Sequence, residues 1–245
     1  MQKYFLILLL VAVCSLAATR GSAQTGPDDD ATGADAAQPV PNEKGEERKD
    51  WKLERGAKEI GFEFGFAPMQ PTFFSGRKEY DTAGRKWAMG SFRWGRVIGT
   101  KKGVTYQYFF DIIPVAMAIK NEVEGIDANS KTDANVMTTT VRRNTYAFGV
   151  QPAGFRFIFR PSRRLKPYVQ LGAGFVFSKK PIPIPGSPNY NFAGDFGGGF
   201  MYSLSKRKTV NFGYRYFHIS NMNIGEINPG YNANLFYVGY SFFYK

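Results

Sequence analysis

The stretch EIGFEFGFA, residues 59–67, sets Ile60, Phe62, Phe64 and Phe66 against Gly61, Glu63 and Gly65. An alternation of period two puts apolar side chains on one face of an extended strand and small or charged ones on the other. The same pattern recurs near residues 87–99, 103–115, 143–160, 167–178, 190–203, 209–220 and 232–244. The chain therefore predicts eight strands and no helix. The connections alternate as well. GTKKG (99–103), RPSRRLK (160–166) and LSKRK (204–208) are short and basic, whereas the other four are longer and rich in Pro, Gly, Asn and charge. Short turns at one end and long loops at the other are the layout of an outer-membrane barrel with its termini in the periplasm.

A soluble up-and-down barrel of lipocalin type would turn the apolar face inward around a ligand. The opposite face decides against it. Gly61, Glu63, Gly65, Gln107, Asp111, Gln170, Gly172, Gly174, Asn211, Gly213 and Arg215 suit the cramped, hydrogen-bonded interior of a small transmembrane barrel. The final stretch LFYVGYSFFYK is aromatic in the manner of strands that end such barrels. The fold class expected is all-β, an eight-stranded antiparallel transmembrane β-barrel over residues 58–245.

What precedes the barrel fits export. Residues 1–23 carry Lys3, an apolar run from Phe5 to Leu16 and the small-residue site Gly21-Ser22-Ala23, which is the layout of a signal peptide cut after Ala23. Cys14, the chain's single cysteine, falls inside that run, so the exported chain holds no disulfide. Residues 24–57 are rich in Asp, Glu, Pro, Gly and Ala and read as a disordered acidic periplasmic tail. That leaves 25 bases against 11 acids from Lys58 onward, a balance that favours an anionic partner. With export to the bacterial outer membrane, nucleic acid is not needed to explain the charge. GDFGGGF (194–200) lies within a strand and opens no helix, so it reads as a tightly packed wall rather than a phosphate loop.

GYRYFHISNMNIGEINPGYN, residues 213–232, holds the one histidine of the chain. Continuing the alternation from Val210, Phe212, Tyr214 and Tyr216 places His218 and Ser220 on the apolar face, at the end of the strand away from its short basic turn. A polar pair aimed at lipid costs free energy unless it has a partner or a use. A neutral imidazole beside a hydroxyl, with the Asn221 amide next to it as an oxyanion donor, is a set of groups suited to acyl transfer by an activated serine.

HISN at the outer end of the penultimate strand, followed by a short Asn/Pro/Gly loop and a last aromatic strand, resembles the outer-membrane lipid A 3-O-deacylase family (PagL type). The resemblance covers the barrel segment and is sharpest over residues 214–232. It implies a barrel whose His and Ser face the lipid and hydrolyse the ester-linked acyl chain at position 3 of lipid A. Ser220 would be the nucleophile, His218 the general base and Asn221 a contributor to the oxyanion hole, with no metal or organic cofactor. The partners implied are lipopolysaccharide and the outer membrane, with a second copy of the chain left open. The family's third member is a glutamate about a dozen residues past the serine, and by that count Asn232 stands in its place. An amide can orient the imidazole through its carbonyl oxygen but cannot stabilise an imidazolium by charge. The nearest carboxylate is Glu226, in the loop. The alternative function is a weak or inactive barrel that binds lipopolysaccharide; a pore is disfavoured because eight strands leave an interior filled by side chains.

Overall fold

The computed structural model describes residues 51–68, 84–126, 138–225 and 227–245. Within them eight strands run β1 (Lys58–Ala67), β2 (Lys86–Lys101), β3 (Val104–Ile126), β4 (Thr138–Phe159), β5 (Leu165–Ser178), β6 (Tyr190–Ser203), β7 (Lys208–Ser220) and β8 (Tyr231–Tyr244). Each pairs antiparallel with its sequence neighbour, and β1 pairs with β8, so the sheet closes in the order β1-β2-β3-β4-β5-β6-β7-β8. There is no helix among the described residues. The proposed signal peptide and most of the acidic tail lie outside them.

The three connections expected to be short are the tight ones. Lys102 and Gly103, with φ of +49° and +77°, turn β2 into β3 in two residues, the left-handed pair that a right-twisted hairpin requires. The long β5–β6 and β7–β8 connections leave from the opposite end.

The orientation of the faces follows the alternation. Phe62 is 60 % exposed on the outside, while its neighbour Glu63 is 5 % exposed within. Phe64, Ile98, Ile112, Val115, Tyr146, Phe148, Phe212, Phe236 and Val238 continue an apolar outer belt. In water such a belt far exceeds the apolar patch a monomer tolerates, and hydrocarbon is the solvent that suits it. A lipocalin-type arrangement is excluded by the same residues.

The interior has three layers. Its middle is ionic: Arg93 makes two bonds to Asp111 (2.7 and 2.6 Å), and Glu63 meets Arg215 at 2.7 Å, Arg93 at 3.1 Å and Arg156 at 3.2 Å. Arg156 also meets Glu59 at 3.4 Å. Gln107, Gln151 and Gln170 join these groups, so most charges that face each other across the lumen are paired. Toward the long-loop end the filling turns apolar, with Trp87, Met89, Ile113, Val176, Phe217, Ile219, Tyr231 and Leu235 packed together. Toward the short-turn end Val97, Ile158, Tyr168, Met201, Tyr237 and Phe243 form a second apolar layer.

This layering explains where the strands outrun the expected limits. β3 continues to Ile126 and β4 begins at Thr138, each well beyond the stretch in which alternation is visible. There the inner face is itself apolar (Ala116, Ala118, Ala147), and register shifts between Ile113 and Ala116 and between Ala118 and Asn121 break the phase. With small apolar residues on the inner face at Ala116 and Ala118, a polar one at Asn121 and the phase broken between them, the period-two signal disappears. Residues 51–57, assigned by composition to the tail, lie against the barrel's short-turn end. Leu53 and Ala57 are buried in the second apolar layer, and Ala57 and Val97 are joined through the backbone at 2.8 Å. Two apolar residues among charges sufficed to dock a segment whose average composition is polar.

The glycine-rich run in β6 is wall, as expected. A Cβ on Gly197 would sit 2.0 Å from the Tyr214 carbonyl oxygen of β7, so only glycine allows these strands their close approach.

Candidate active site

β7 leaves its short turn at Lys208 and runs to the long-loop end without a bulge, so its phase is kept over its whole length. Asn211 and Arg215 are buried inside; Phe212 is exposed outside. His218 and Ser220 share the outer face with Phe212, two and four residues beyond Tyr216 on the same side. Both are half-buried. Tyr216, though outward, is only 4 % exposed because Phe196 of β6 covers its ring, with centroids 5.4 Å apart.

The β7–β8 hairpin sets His218 directly opposite Asn232. Cross-strand neighbours on one face have Cβ atoms about 5 Å apart, near enough for short polar side chains to meet. His218 Nδ1 lies 2.6 Å from Asn232 Oδ1. The amide oxygen can only accept, so Nδ1–H donates and Nε2 keeps the lone pair that a general base needs. Asn232 is 6 % exposed, which shields this bond from water. Gly230, with φ of +69°, brings the chain back beside the ring; a Cβ there would lie 3.4 Å from His218 Cε1.

The serine ends β7, and the loop folds back over it. Met222 and Asn223 both take left-handed φ values, +54° and +63°, and Ile224 N–H closes a turn onto the Asn221 carbonyl at 3.1 Å. Met222 N–H donates to Ser220 Oγ at 3.2 Å. Asn228 reaches the same hydroxyl: Oγ lies 3.1 Å from its Oδ1 and 3.0 Å from its Nδ2. Asn228 Oδ1 also accepts the Asn221 backbone N–H at 3.1 Å, and its Nδ2 donates to Asn223 Oδ1 at 3.2 Å.

His218, Asn232 and Ser220 are thus brought together on one outer patch. The hydroxyl is turned to Asn228, and no hydrogen bond links it to the imidazole in this structure. Asn221 behaves differently from its expected use. Its Nδ2 donates to Ile227 O at 2.6 Å and its Oδ1 accepts from Asn223 N–H at 2.8 Å, so both ends of the side chain are engaged in shaping the loop. Asn228 is the residue that sequence reasoning missed. It lies in INPG, a string whose only legible message is a loop. Glu226 lies outside the described residues. Among the described residues no three His, Cys, Asp or Glu side chains converge as metal ligands would.

An eight-stranded antiparallel barrel with an ionic interior and an apolar outer belt, carrying His, Ser and Asn on that outer surface, belongs to the class of transmembrane β-barrels of outer-membrane type. Within that class, residues 121–241 match the family model of lipid A 3-O-deacylase (PagL), so the resemblance carried by HISN is borne out. Among solved structures the chain is similar to the outer membrane enzyme PagL, with 13 % identity, a TM-score of 0.47, and 74 % of this chain and 97 % of that one covered. It is also similar to Neisserial surface protein A (13 % identity, TM-score 0.43, 77 % and 99 % covered) and to the outer membrane protein OprG from Pseudomonas aeruginosa (10 %, 0.45, 79 % and 98 %). No curated protein matches the chain.

Proposed function

We propose that this chain is a serine esterase of the bacterial outer membrane that removes the ester-linked acyl chain at position 3 of lipid A. One observation carries the reading: an imidazole whose Nδ1 is bonded to Asn232 and a serine hydroxyl two residues away share the lipid-facing side of β7 at its long-loop end. An ester at the head-group boundary of the outer leaflet would lie at that height on the wall.

In this mechanism Ser220 turns from Asn228 toward His218, whose Nε2 takes the Oγ proton as Oγ attacks the ester carbonyl. Catalytic contacts that are loose in an empty site commonly tighten with substrate. The oxyanion forms where Oγ now meets donors. Asn228 Nδ2 and Met222 N–H point at that position, and both supply preorganised hydrogen bonds. Asn221 contributes by holding the loop that presents them. As the tetrahedral intermediate collapses, the imidazolium returns the proton to the departing sugar oxygen. Water, activated by the same nitrogen, then releases the fatty acid from Ser220.

Asn232 favours a second reading. It orients His218 but brings no charge to the imidazolium, so a barrel that binds lipopolysaccharide and cleaves it slowly or not at all fits the same bond. The two readings separate on an ester-linked acylated glucosamine substrate in detergent. Hydrolysis that falls to background in Ser220→Ala and in His218→Ala, with the double variant no worse than either, supports the esterase, since a nucleophile and its base act as one unit. No hydrolysis by the folded wild-type barrel supports the binding protein.

A further inference from the structure

β4 lies three strands from β7, which carries His218 and Ser220, around the closed barrel. There the long-loop end carries a second surface that hydrolysis does not use. Lys120 sits in β3 at a register shift, with φ of +57°, and its backbone N–H donates to Asn144 Oδ1 of β4 at 3.3 Å. Just past the end of β5, Lys179 N–H donates to the Tyr146 carbonyl at 2.8 Å, which brings Lys179 and Lys180 to the other side of Asn144. Lys120, Asn144, Lys179 and Lys180 are all exposed, and among the described residues none of the three lysines is in an ion pair. Arg142, set opposite Glu122 by the register, is left out of the group.

Two and four residues further along β4 from Asn144, the outer surface turns aromatic. Tyr146 and Phe148 of β4 are 59 % and 56 % exposed, and Phe148 stacks on Phe177 of β5 with centroids 5.1 Å apart. Three lysines without an ion pair among the described residues, and an amide, next to a greasy shelf match one kind of ligand, an amphiphile with an anionic head. Ammonium groups bind phosphate as point charges, and the attraction is strongest beside hydrocarbon, where water is scarce. A soluble anion would leave the aromatic shelf unused.

We infer that Lys120, Asn144, Lys179 and Lys180 form a non-catalytic site for a phosphorylated glycolipid of the outer leaflet, its phosphate on the lysines and its acyl chains against Tyr146, Phe148 and Phe177. The inference rests on the outer-membrane reading and is independent of hydrolysis. The test uses the full chain carrying Ser220→Ala, which prevents turnover, in detergent micelles. Bound lipid is counted by native mass spectrometry with bisphosphorylated lipid A, the same lipid without phosphates, and inorganic phosphate. The bisphosphorylated lipid should bind, and K120Q/K179Q/K180Q should lose one bound lipid with an affinity drop of about tenfold or more. The triple Lys→Arg variant should keep it, which separates lost charge from lost folding. The lipid without phosphates should not tell the Gln variant from its parent. If the catalytic wall binds no lipid, the count starts from one instead of two, and the lysine-dependent loss is still read. Undiminished binding of bisphosphorylated lipid A to the folded Gln variant would overturn the inference, as would lysine-dependent binding of inorganic phosphate as tight as that of the lipid.

Discussion

Glu63 is the hub of the ionic layer, and its removal should destabilise the barrel more than removal of any carboxylate with fewer partners. Its two oxygens serve Arg215 at 2.7 Å, Arg93 at 3.1 Å and Arg156 at 3.2 Å, and all three guanidinium groups are buried. In Glu63→Gln, Arg93 retains both of its hydrogen bonds to Asp111 and Arg156 retains Glu59. Arg215 does not fare so well: its remaining carboxylates, Asp111 and Asp195, stand at 3.9 and 3.8 Å. Stripping a buried charge of its close partner costs about 3–5 kcal/mol. Glu59→Gln removes the same formal charge, but Glu59 pairs with a single arginine, at 3.4 Å, its other oxygen accepting from the neutral Gln107 amide, and the new side chain can still accept from Arg156. The loss expected there is at most about 2 kcal/mol. Urea unfolding of the barrel in lipid vesicles, followed by tryptophan fluorescence, measures both against wild type with the slope checked for constancy. Equal losses for the two variants, or a loss below about 1 kcal/mol for Glu63→Gln, would show that the layer is not organised around Glu63.

Asn232→Glu should raise the hydrolysis rate, because a carboxylate facing Nδ1 stabilises the imidazolium formed during attack, and Asn232→Ala should lower it; steady-state rates on the glycolipid substrate decide. Should wild type be inactive and Asn232→Glu active, the chain is a lapsed enzyme and the binding reading prevails. Asn228→Ala should cut kcat by about 10²-fold with little change in KM, the pattern of a donor that acts on the oxyanion, and an equal rate in that variant would exclude the role. Single cysteines at Phe212, Tyr214, His218 and Ser220 should react with a membrane-soluble maleimide, while cysteines at Asn211 and Arg215 should stay unlabelled in the folded barrel.

Much of this was legible in the sequence wherever one face of a strand was apolar and the other was not. β1 and β7 show their phase from end to end, and the phase of β7 alone aims His218 and Ser220 outward. The upper parts of β3 and β4 were hidden because Ala116, Ala118 and Ala147 make the inner face apolar as well, and because bulges shift the register there. Asn232 was reachable by counting across the hairpin, since a two-strand pairing fixes which residues face each other. Asn228 was not, because a loop side chain that folds back on a strand end obeys no period. The same holds for Asn221, whose type suggests a donor but whose hydrogen bonds go to Ile227 and Asn223 within its own loop.

The most direct test of the esterase reading is the mass of lipid A from cells that express the full chain or its Ser220→Ala variant at equal levels in the outer membrane. The wild-type chain should leave lipid A lighter by one ester-linked acyl group, with a free hydroxyl at position 3, and Ser220→Ala should leave it intact. The same loss in both would remove Ser220 as the nucleophile. Intact lipid A in both, with the wild-type barrel inserted, would contradict the esterase.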